Sequence, residues 1–173
     1  MDVQTFYVTV SAISFTLLGL WWVVVQDRET WRMNVARRRM AYVVSLHFVL
    51  PGVMSVIAII APDLSILWRI TFLTAGLLGL LGAGYVVGTL TDERDCPRLV
   101  RIIELVVIPI YALIAIVAVV PEGVRRVGID LMPLQIEGIS LALILFFGVQ
   151  AAWVLMVEPP RESPAEAEAA PEP

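Results

Sequence analysis

The chain has 173 residues, 59% of them hydrophobic and 16% charged. Soluble globular domains run near ~45–50% and ~25%, so the composition argues against a soluble enzyme domain and excludes a disordered body. The formal charge of −4 belongs to the tail, where Glu158, Glu162, Glu166, Glu168 and Glu172 face Arg161 alone. Residues 1–157 hold 11 arginines and 11 acids, which leaves no basic surface for nucleic acid.

A bilayer core about 30 Å thick needs about 20 mostly apolar residues in a helix. Five stretches meet that length: 6–25, 42–61, 70–90, 102–120 and 134–157. Runs such as residues 114–120 lack the period-two alternation of barrel strands, so helices are the spanning elements. The expected fold is an all-α integral membrane protein. It comprises a five-helix transmembrane bundle over residues 1–157 and a disordered, Pro/Glu/Ala-rich acidic tail over 158–173.

The first helix lacks a positive n-region and a small-residue cleavage site, and is expected to be retained. Thr5, Thr9, Ala12, Thr16, Gly19 and Gln26 recur near the helical period. The stripe reads as a seam against another helix or as a face on a water-filled path. The following connector carries Asp27, Arg28, Glu29, Arg32 and the triplet Arg37, Arg38 and Arg39. The triplet either sets orientation alone or also meets anionic lipid headgroups. Residues 27–36, with Trp31, Met33 and Val35, suit a short interfacial helix.

The second helix contains His47 and Pro51, and residues 62–65 form a turn. The third carries Gly76, Gly79, Gly82, Gly84 and Gly88. Glycine costs helix propensity, so five of them point to close backbone contact, within the chain or between copies. In the next connector, Asp95-Cys96-Pro97 has the form of a helix start, with an acid as cap and an early proline. Cys96 is the single cysteine, which excludes an intramolecular disulfide and a multi-cysteine metal site. The fourth helix contains Glu104 and Pro109, and so resembles the second: each has a polar residue, a proline, and a terminal Pro-acid pair. That likeness suggests a parallel two-hairpin repeat preceded by one extra helix. The fifth helix carries Gln135, Glu137 and Gln150. Glu137 is expected at the boundary, paired with Arg125 or Arg126.

Positive residues collect in cytoplasmic loops. The first and third connectors and the tail hold nine arginines against three on the other side, which places the N-terminus outside and the C-terminus inside. Aromatics at Phe6, Tyr7 and Trp68 and at Trp21, Trp22, Tyr42 and Trp153 mark the two boundaries. Arginine without lysine suggests a GC-rich bacterial genome, hence the bacterial plasma membrane.

Ionisable groups at membrane depth are costly and face bundle interiors. His47 and Glu104 lie in the same leaflet on helices of equal direction, so they are candidates to pair; Glu104 alternatively meets a loop arginine. A lone histidine supplies neither a haem pair nor a zinc site. Hydrolase, zincin and P-loop spacings do not occur, and no cofactor is implied. The expected function is therefore non-enzymatic: a self-associating ion channel or transport unit. The alternative is an accessory or scaffolding subunit of a membrane complex, with a lipid-modifying enzyme third. A channel would bring Thr9, Thr16, His47 and Glu104 to one wet axis, with Gln150 as a further polar group. A scaffold would present a dry bundle with outward glycines. The partners expected are the bilayer and either further copies or another membrane protein.

Overall fold

A computed structural model describes residues 3–60, 64–89, 96–121 and 131–157. The tail, the Pro62-Asp63 turn, Asp95, and the loop with Arg125 and Arg126 lie outside the described residues. All regular structure described is helical: α1 (Val3–Asp27), α2 (Glu29–Met33), α3 (Val35–Ile60), α4 (Ser65–Thr89), α5 (Arg98–Val119) and α6 (Pro133–Val157). Five of these are long and apolar enough to cross a bilayer. At a rise of about 1.5 Å per residue they run from about 33 to 39 Å, past the hydrocarbon thickness.

Most expected helix boundaries move outward. α3 begins at Val35 rather than residue 42 and takes in the arginine triplet, because arginine is a good helix former and Asn34 accepts from the Arg37 amide at 3.0 Å. α5 begins at Arg98, and the residue at its cap is Pro97, with no side-chain cap bond. The short helix expected within 27–36 is α2; its Trp31 is buried, with Arg28 lying 5.2 Å over the ring.

α3, α4, α5 and α6 form an antiparallel ring in that order, closed by α6 against α3, and α1 lies outside against α3 and α6. α3 is the hub: 56% of its most apolar window is buried, against 22% for α1. The two helices with an interior proline, α3 and α5, therefore sit on one diagonal and run in the same direction.

Polar anchors hold the helix ends together. Trp21 donates its indole N–H to the Ala41 carbonyl at 3.0 Å, and Tyr7 donates its hydroxyl to the Leu134 carbonyl at 2.7 Å. These bonds tie α1 to α3 at one end and to α6 at the other. Near the helix ends Tyr7, Trp21 and Trp68 are buried against neighbouring helices, whereas Trp22, Tyr42 and Trp153 are exposed. Arg69 reaches from α4 to the end of α5, donating to the Ala118 carbonyl at 2.8 Å and the Val119 carbonyl at 2.7 Å. Arg37 donates to the Leu155 carbonyl at 3.2 Å in the last turn of α6. Both guanidiniums satisfy carbonyls that a helix C-terminus leaves over, where the dipole favours positive charge.

Candidate functional site: a buried His-Glu-Tyr cluster

His47 lies 12 residues into α3, about 18 Å from its start, near the middle of that helix. Its side chain crosses the ring to α5. Nε2 is 3.1 Å from Oε1 and 3.2 Å from Oε2 of Glu104, and Nδ1 is 3.2 Å from the Tyr111 hydroxyl. Glu104 and Tyr111 are seven residues apart, two turns on one face of α5. All three side chains are sealed from solvent, at 0% exposure.

The bonding roles follow from the donor inventory. With Glu104 ionised, both its oxygens accept, so Nε2 carries a proton and Nδ1 accepts from the Tyr111 hydroxyl. When the ring takes a second proton, Nδ1–H donates and the Tyr111 oxygen accepts. Either protonation state of the imidazole thus has a partner at both nitrogens. A buried charged pair needs this completeness, since an unmet polar group at such a place is expensive.

The flanking helices contribute glycine where they pass the cluster. A Cβ at Gly148 of α6 would lie 2.8 Å from the His47 Cβ and 3.1 Å from the Phe48 ring. A Cβ at Gly79 of α4 would collide with the Tyr111 ring. At Gly76 it would lie 3.1 Å from the Ala115 amide nitrogen and the Tyr111 carbonyl oxygen. Gly76 and Gly79 let α4 press against α5, and Gly148 lets α6 reach the His47 Cβ and the Phe48 ring. Gly82 faces Leu46 of α3, whereas among the described residues nothing lies within 4 Å of a Cβ at Gly84 or Gly88. The glycine row is thus divided between interior contacts and an outer face. Pro51 adds a local effect: lacking an N–H, it leaves the His47 carbonyl without its helical donor.

Other polar residues fall elsewhere. Thr9 and Thr16 are exposed, and their hydroxyls donate to the Thr5 and Ala12 carbonyls at 2.9 and 2.8 Å. Within one chain the α1 stripe therefore meets neither a neighbouring helix nor His47, because α1 turns a different face inward: Tyr7, Val10, Ser14, Leu18 and Trp21. Gln150 is exposed too. Glu104 meets His47 instead of a loop arginine, since its position on α5 faces the ring interior. Glu137 is fully buried, and neither carboxyl oxygen has a hydrogen-bond partner among the described residues. It lies 11 residues from Gly148 along α6, about 16 Å from the cluster. Ser55 is also buried, and its hydroxyl has no partner among the described residues.

The arginine triplet divides. Arg37 is buried at the end of α6, while Arg38 and Arg39 are exposed. Sequence reasoning did not separate them, nor did it find Tyr111 or Arg69. An i+7 relation to Glu104 was the available signal for Tyr111. Arg69 had none, its acceptors being 49 and 50 residues away. Among the described residues no group of three or more His, Cys, Asp or Glu side chains could hold a metal ion. Comparison with protein-family models, curated proteins and solved structures finds no match for this chain.

Proposed function

We propose that the chain is a non-enzymatic, multi-pass protein of the bacterial plasma membrane, with its N-terminus outside and its tail inside, acting as a self-associating transport unit that moves protons. The observation that carries this reading is the sealed His47–Glu104–Tyr111 cluster on the bundle diagonal. Ionisable groups at such depth are functional candidates by default, and this one accepts a proton by reversing a single hydrogen bond. The ring interior at that level is filled by side chains such as Val107 and Ile144. Relay between groups therefore suits the geometry better than an open pore through one chain. Outward Gly84 and Gly88 and the exposed Thr9 and Thr16 supply faces for further copies.

The test is proton flux into liposomes, followed by an internal pH dye, with oligomeric state measured by native mass spectrometry. Flux above protein-free vesicles is expected from the native chain and loss of it from His47→Ala and Glu104→Gln. A monomer that conducts nothing ends the proposal. The same outward glycines favour a second reading, in which another membrane protein docks there and the chain serves as an accessory subunit. A stable hetero-complex without flux is the result expected of it.

A further inference from the structure

The arginine-rich end of the α3–α4 contact carries a groove of about 630 Å³. Arg38 and Arg39 stand at its mouth, with Tyr42 and Tyr85 beside them and Leu46 and Gly82 in its wall. The Arg39 guanidinium lies 5.5 Å over the Tyr85 ring, which holds it beside the groove. Among the described residues neither arginine side chain has an acidic partner. From Arg39 to Leu46 the wall runs about 11 Å along α3, and leucines of α4 continue its apolar character. Gly82 lets α4 pass close to Leu46 at the groove wall: a Cβ there would lie 2.9 Å from a Leu46 methyl.

Two exposed guanidiniums above an apolar trough demand an amphiphile whose head is anionic and whose body is hydrocarbon. We infer that this groove binds one anionic phospholipid, its phosphodiester between Arg38 and Arg39 and an acyl chain along Leu46 and Gly82. Arginine suits that head because its planar fork meets phosphate oxygens in pairs. Arg37 takes no part, being committed to the end of α6. The inference is independent of proton movement.

Native mass spectrometry of the full chain, titrated with phosphatidylglycerol or phosphatidylcholine, tests it. Each arginine near an anionic lipid is worth about fivefold in affinity, so a preference of about 25-fold for phosphatidylglycerol is expected. Arg38→Gln with Arg39→Gln should erase that preference. Arg98→Gln with Arg101→Gln, exposed charges on α5, should keep it. Gly82→Leu should weaken retention of both lipids, with helicity by circular dichroism unchanged. The inference is overturned if the Arg38/Arg39 variant keeps the preference or if the Arg98/Arg101 variant loses as much. Displacement by inorganic phosphate alone, marking a free-anion site, overturns it too. So does loss of bound lipid on dimerisation, which would make a second copy the occupant.

Discussion

Removing Glu104 tests whether the diagonal bond holds the bundle together. Its carboxylate oxygens sit 3.1 and 3.2 Å from His47 Nε2 at 0% exposure, so Glu104→Ala strands a buried imidazole N–H and opens space beside it. Losing one partner of a buried pair costs about 3–5 kcal/mol in soluble proteins. In bilayer proteins the unfolded helices also find partners, and side-chain couplings average about 0.6 and reach about 1.7 kcal/mol. The His47–Glu104 contact has both oxygens near one nitrogen and a second bond at Nδ1, which places it at the upper end. Each single alanine variant should lose about 2–3 kcal/mol, lost contacts included. The double variant should lose about 1–2 kcal/mol less than the sum, a coupling of about 5- to 30-fold in the unfolding equilibrium. Reversible unfolding in mixed micelles by SDS titration, read by circular dichroism, supplies all four corners of the cycle. A coupling within about 0.3 kcal/mol of zero, the scatter of independent sites, refutes the reasoning.

The glycines should separate by location. Gly148→Ala pushes on the His47 Cβ and is expected to lose about 1–2 kcal/mol, overpacking exceeding the helix-propensity gain. Gly84→Ala meets open space and should gain up to about 1 kcal/mol in the same titration. Arg69→Ala leaves two end carbonyls of α5 without their charged donor and should cost about 2 kcal/mol. Arg69→Lys should recover less than half, because an ammonium does not reproduce the fork; hydrogen exchange should show the last turn of α5 opening in both. Tyr7→Phe removes the bond to the Leu134 carbonyl and should cost about 1 kcal/mol, with faster proteolysis at the junction of α1 and α6 as its sign.

The pairing of His47 with Glu104 was legible as a possibility: two ionisable residues at similar depth on helices of equal direction. The residues that complete the site were not. Tyr111, Gly79 and Gly148 look like ordinary members of apolar helices, and their roles depend on which face each helix turns inward. The α1 stripe shows the same limit from the other side. Thr9 and Thr16 looked like an interface because they recur at the helical period. Their hydroxyls are satisfied by carbonyls of their own helix, so nothing obliges that face to be covered.

Taken alone, the amino-acid order determined five long apolar helices and their sequence limits to within a few residues at most ends. Length, hydropathy and rise per residue are local properties that need no knowledge of neighbours. Only the tertiary structure decided how each helix is rotated about its axis. A helix that is apolar all round carries no stripe to orient it. Close glycine contacts, buried bonds such as His47 to Glu104, and guanidiniums seated on distant helix ends settle that rotation through residues dozens of positions apart.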